Sequence, residues 1–159
     1  MKKLFVLFTL ALFVLSASAA NYLDYVVIGD KTYFSEDVRV GFNNIRISTE
    51  NGLTLKAPLK KVETYMAKGK LCERLPLVCN DGSVRCTALM ELVASKNGLR
   101  LYKCCPNASN RDLGCCFYDE MKIEAMFFVY KDGELYLRVN KRNAETVFPF
   151  FGVDFKSSK

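Results

Sequence analysis

Five times along this chain an apolar or β-branched run meets a glycine beside a polar residue, and an alternating run follows. The first is Val26-Val27-Ile28-Gly29-Asp30-Lys31-Thr32-Tyr33-Phe34, and the second runs from Ile45 through Asn51-Gly52 to Leu55. Val62 to Leu71 surrounds Lys68-Gly69, Leu92 to Tyr102 surrounds Asn97-Gly98, and Phe127 to Leu137 surrounds Asp132-Gly133. Asn-Gly and Asp-Gly supply the positive φ angles that tight hairpins require. The flanks alternate as half-buried strands do: Ile45 and Ile47 against Arg46 and Ser48, Leu135, Leu137 and Val139 against Tyr136 and Arg138. The expectation is a mainly β fold, an antiparallel hairpin-rich meander or small barrel or sandwich, with turns at Gly29, Gly52, Gly69, Gly98 and Gly133. Those glycines are unevenly spaced, which argues against a repeat array or a propeller.

Two segments admit helix. Thr87 to Lys96 keeps Leu89, Leu92, Val93 and Lys96 at helical spacing, so an α+β alternative places a helix at about 87–96, capped at Asn97-Gly98. The hairpin pattern around it favours a strand. Lys141 to Phe148 follows Asn140 and Asn143, either of which can cap a helix, and Pro149 is expected to stop it. Glu124 to Tyr130 is apolar on both faces after its first residue, the mark of a strand covered twice, with the C-terminal helix as the second cover. Phe148, Phe150, Phe151 and Phe155 crowd the tail and are expected to close a core; an exposed aromatic patch for a partner is the other reading.

The first residues read as a targeting segment. Lys2 and Lys3 precede a run of 12 residues from Leu4 to Leu15, apolar but for Thr9, and then Ser16-Ala17-Ser18-Ala19-Ala20. This is the layout of a secretory signal peptide over residues 1–19, cleaved near Ala19 or Ala20. The run falls short of the roughly 20 residues that a membrane span needs, and no later stretch approaches that length. Residues 20–159 hold no Pro/Ser-rich divider and read as a single β-rich domain, exported to the periplasm or beyond the cell. The chain's formal charge is +6, with basic residues scattered among acids, as in Lys60-Lys61-Val62-Glu63. That scatter reads as a solvated mixed-charge surface and not as a nucleic-acid stripe.

All seven cysteines follow the leader: Cys72, Cys79, Cys86, Cys104, Cys105, Cys115 and Cys116. In an exported protein, disulfides are the default. Cys104-Cys105 and Cys115-Cys116 flank the turn-rich loop Pro106 to Gly114, and bridges between those pairs would staple it. Cys72, Cys79 and Cys86 recur every seven residues across Asn80-Asp81-Gly82, and the odd total leaves one of these three as a free thiol. Zinc held by four cysteines normally shows C-x2-4-C spacing, which C-C-x9-C-C lacks. A C-x-x-C redox motif is absent.

The chain contains no histidine, which excludes Ser-His-Asp and Cys-His catalysis and every histidine-containing zinc site. No phosphate loop, EF-hand or dinucleotide fingerprint is present, no cofactor or metal is expected, and Asp37, Asp119 and Glu120 read as surface acids. Asn107-Ala108-Ser109 matches a glycosylation acceptor by chance. The run Met90 to Tyr102, together with Phe128 to Leu137, Asn143-Ala144 and Phe150-Phe151-Gly152, resembles small exported bacterial proteins of the Bacteroidota type that carry no assigned activity. That resemblance implies compartment and a β-rich build. The expected function is an exported, non-enzymatic binding or envelope-structural module, partly held by disulfides, whose partner is an unknown protein or envelope component met on an edge strand. The alternative is a small thiol-dependent redox protein or enzyme working through Cys72, Cys79 or Cys86.

Overall fold

Among the described residues, alternation and turn chemistry become eleven antiparallel strands and one short helix. The computed structural model describes residues 23–49, 51–78, 84–104 and 126–154. The strands are β1 (Asp24–Ile28), β2 (Lys31–Ser35), β3 (Asp37–Val40), β4 (Asn44–Ser48), β5 (Thr54–Pro58) and β6 (Val62–Ala67). They continue as β7 (Lys70–Val78), β8 (Val84–Lys96), β9 (Leu99–Cys104), β10 (Met126–Lys131) and β11 (Glu134–Val139), before helix α1 (Ala144–Phe151). All five expected glycine turns form, each with its glycine at positive φ. At Lys68-Gly69, Asn97-Gly98 and Asp132-Gly133 both turn residues have positive φ, the geometry that follows the right-handed twist of the flanking strands.

Two sheets result. The larger has the order β11-β10-β9-β8-β7-β6-β1-β2, and the smaller is β3-β4-β5. The chain leaves the large sheet at Ser35, a buried side chain whose Oγ lies 2.7 Å from the Ser48 carbonyl and accepts the Asp37 N–H. It returns through a 3-10 turn at Leu59–Lys61 and sets β6 beside β1. The expected 87–96 helix does not form: β8 runs unbroken for 13 residues between β7 and β9. Its apparent helical spacing comes from two apolar faces. Ala88, Met90 and Leu92 pack on one side and Leu89 and Val93 on the other, and a bulge between Leu92 and Ala94 brings Ala94 opposite Leu101.

Three clusters make the core. On one face of the large sheet Leu77, Ala88, Met90, Tyr102, Cys104, Phe128 and Tyr130 pack together. The sheet coils around them until β11 meets β7, and the Tyr130 hydroxyl donates across the hollow to the Pro76 carbonyl at 2.8 Å. No ladder joins β11 to β7 among the described residues, so the barrel stays open. On the opposite face the small sheet lays Val38, Ile45 and Ile47 over Val26, Val62 and Leu89. Farther along that same face α1 lays Ala144, Val147 and Phe148 over Leu101, Phe127 and Val129. β10 is therefore covered twice, as its composition requires.

The helix is shifted from its expected bounds of 141–148, and Pro149 lies inside it. Asn143 explains the start. Its amide donates to the Arg138 carbonyl at 2.8 Å and accepts the Asn140 N–H, so Lys141 to Asn143 form a turn tied to β11. Pro149 falls in the last turn, where its fixed φ suits a helix and its missing N–H costs one bond. Gly152, at φ 70, makes the stop, and the Val153 N–H closes on the Phe148 carbonyl at 3.0 Å. Of the tail phenylalanines, Phe148 is buried, Phe151 is half-buried against the core, and Phe150 is exposed. Phe155 lies outside the described residues, as does the leader, residues 1–19.

Candidate interaction face

The register of the large sheet lines up side chains that sequence separation hides. Tyr25 stands opposite Phe34 on one side and Met66 on the other, and Met66 stands opposite Leu71. These four residues of β2, β1, β6 and β7 form one row on the face away from the small sheet. Leu92, opposite Tyr102, and Phe128, opposite Tyr102 in turn, continue that face through β8, β9 and β10. There the coiled half of the sheet buries it. Over β2, β1 and β6 it is uncovered: Phe34 is 59% exposed, and Tyr25, Val27, Met66 and Leu71 are half-buried. None of these five belongs to a core cluster of the described residues. Phe34 and Tyr25 rest against each other with ring centroids 6.4 Å apart. The adjoining Thr32 and Thr64 sit opposite Val27, so this part of the face carries no charge.

A polar network marks the boundary between the uncovered and the coiled halves. The Tyr102 hydroxyl donates to Glu73 Oε2 at 2.5 Å, spanning from β9 to β7 over Met90. Arg100 Nη1 lies 3.4 Å from both the Glu73 carboxylate and the Tyr102 hydroxyl. Burial, reinforced by the bond to Glu73, pushes the Tyr102 phenol up to about 12. The guanidinium of Arg100 is raised as well, first by its bond to Tyr102. At neutral pH the three groups therefore satisfy one another, with the phenol as donor, the carboxylate as acceptor and the guanidinium bracing both. The arrangement fixes the rim of the apolar face and leaves no activated nucleophile among its members.

The cysteines are placed differently. Cys72 sits on β7 opposite Tyr65 and Glu91, 6% exposed, on the face that the small sheet and α1 cover. Cys104, 1% exposed, ends β9 on the other face, in the first core cluster. Strand alternation thus separates these two by the thickness of the sheet. Cys86 holds a register position opposite Leu77 in β8. Cys79, Cys105, Cys115 and Cys116 lie outside the described residues, as do the Asn80-Asp81-Gly82 turn and the Pro106–Gly114 loop. Among the described residues no three Cys, Asp or Glu side chains gather as a metal site requires, and no helix is long and apolar enough to cross a membrane.

Sequence reasoning passed over Tyr25, Phe34, Met66, Leu71 and the Glu73–Tyr102–Arg100 network. One signal was available. β1 reads Tyr25-Val26-Val27-Ile28, apolar on both faces, yet the described residues supply a cover for only one. Compared with protein-family models, with curated proteins and with solved structures, the chain gives no match.

Proposed function

We propose that the protein is an exported, non-enzymatic binding module that holds an apolar protein surface of the cell envelope against the uncovered half of its large sheet. The row Phe34–Tyr25–Met66–Leu71 carries this reading. A contiguous apolar strip is stabilised by a partner that removes it from water. The strip is uncharged, so its complement is apolar and not an anionic polymer. β2 stands at the edge of the sheet beside it and offers backbone groups to a partner strand. The polar groups bordering the strip are engaged with one another, which suits a fixed recognition surface better than a reaction centre.

The thiol reading draws no support from Cys72, which is shielded in the folded chain, since reactive thiols need access as well as a lowered pKa. The test is affinity capture from the envelope fraction of the producing cells, using the mature chain and its Phe34→Asp/Met66→Asp variant. A stoichiometric partner retained by the wild type, lost with the variant and kept by a Tyr136→Asp control on β11 is the expected result. Identical partner profiles for all three would overturn the assignment of this face. Rapid labelling of the native protein by a thiol reagent would overturn the non-enzymatic reading.

A further inference from the structure

The small sheet carries a second feature, independent of the apolar strip. Because Val38, Ile45 and Ile47 turn inward, alternation sends Arg39, Arg46 and Lys56 to the outer face. The register sets Arg39 directly opposite Arg46, and Arg46 directly opposite Lys56. All three are exposed, and neighbouring strands stand about 4.8 Å apart, so the cations form one row roughly 10 Å across. Like charges facing one another across a ladder repel and destabilise it. Asp37 is the one acid among the described residues of this sheet, and its carboxylate lies 2.5 Å from Arg39 Nε, leaving Arg46 and Lys56 without a carboxylate in their row. Ser48 and Thr54 complete the row of Asp37, and Asn44 and Pro58 make a neutral row on the other side. Lys60 and Lys61 follow at once, and residues 37–61 hold five Lys and Arg against two acids. The turns at opposite ends of the sheet present Phe42, 54% exposed, and Leu53, 67% exposed.

We propose that this outer face docks on an anionic membrane surface, with the Arg39–Arg46–Lys56 row against lipid phosphates and Phe42 and Leu53 seated in the interfacial layer at the rim. Geometry separates this from a pocket for one soluble anion. The three cations lie side by side on an open face and do not converge, so their attraction sums best against a plane of charge. Apolar side chains flanking basic ones are the composition of surfaces that rest on bilayers.

The test is sedimentation of the mature chain with vesicles of phosphatidylcholine, alone or mixed equally with phosphatidylglycerol. Binding to the anionic vesicles is expected, weakening as salt approaches about 0.5 M, where the screening length is about 4 Å. Replacing Arg39, Arg46 and Lys56 by Gln should weaken it about a hundredfold, at roughly fivefold per charge removed. The same net loss at a distant place, Lys131→Gln/Lys141→Gln/Arg142→Gln, should change it only a few-fold. Phe42→Ser/Leu53→Ser should weaken binding while preserving its salt dependence. Relief of cross-strand repulsion should let the Gln triple variant melt no lower than wild type, which excludes unfolding as the cause. Three results would overturn the proposal: equal binding to neutral vesicles, equal loss in the two triple variants, or displacement by inorganic phosphate beyond that of chloride at matched ionic strength. None of these outcomes bears on the apolar strip.

Discussion

Tyr102 is 1% exposed, and its hydroxyl spends its one proton on Glu73. Burial and that bond raise the phenol from 10.0 to about 12, so the folded chain holds the proton more tightly than the unfolded chain does. The sign follows directly. The stabilisation is complete below pH 10 and is lost as pH rises from about 10 to 12, because the unfolded chain releases the proton first. Two pH units correspond to an upper bound of roughly 2–3 kcal/mol. Denaturant midpoints measured between pH 8 and 12 (about that range) should fall less steeply in Tyr102→Phe, and absorbance titration of that variant should lack the most alkaline phenol. Lys68 offers a second residue-level prediction. It has φ 52 in a turn whose first position favours Asn, Asp or Gly, while its N–H is accepted by Asp24 Oδ1 at 2.9 Å. Lys68→Asn keeps that backbone bond and relieves the backbone, so chemical denaturation should show a gain of about 0.5 kcal/mol.

At the scale of elements, Arg74 pins the 3-10 turn to β7. Its Nε donates to the Val62 carbonyl at 2.7 Å and its Nη2 to the Leu59 carbonyl at 2.6 Å. Burial lowers its pKa, with partial compensation from Glu63, and the two carbonyls repay some of that desolvation. Arg74→Ala should destabilise the fold by about 2–3 kcal/mol. Arg74→Lys should restore less than half of it, because an ammonium cannot reproduce the fork. Equal stability of the Lys variant and wild type in denaturant would show that the fork is not what holds the turn. The helix depends on Phe148, which is buried and meets the Phe127 ring edge-on with centroids 4.9 Å apart. Phe148→Ala should cost about 3–5 kcal/mol and expose β10, visible as faster amide exchange at Phe127 and Val129.

For the whole molecule, topology divides the labour between two sheets and two faces. The large sheet coils one half around its own core, while the small sheet and α1 share the opposite face. Cys72 and Cys104 lie on opposite sides of this sheet, so peptide mapping without reductant should find no Cys72–Cys104 bridge. The bridges expected are those joining Cys104 and Cys105 to Cys115 and Cys116. Closing a loop of about ten residues should contribute roughly 2–3 kcal/mol, and Cys104→Ser/Cys105→Ser should lower the melting temperature without altering captured partners. N-terminal sequencing of exported material should begin near Ala20 or Asn21, and material beginning at Met1 would instead mean retention of the leader.

The five glycine turns and the alternation around them were legible because both are local. A positive φ beside Asn, Asp or Lys and a period of two need no knowledge of distant residues. The double burial of β10 was legible for the same reason, since a strand apolar on both faces must be covered twice. The strand at 87–96 was ambiguous because apolar residues on both faces imitate helical spacing until β7 and β9 are seen beside it. Pro149 entered the helix because Asn143 bonds the end of β11, a contact five residues back that fixes where the helix starts. The apolar strip and the row Arg39–Arg46–Lys56 were decided by tertiary structure alone. Each exists only in register, and register is set by how whole strands bury their inner faces, so residues far apart in sequence become neighbours on the outer ones.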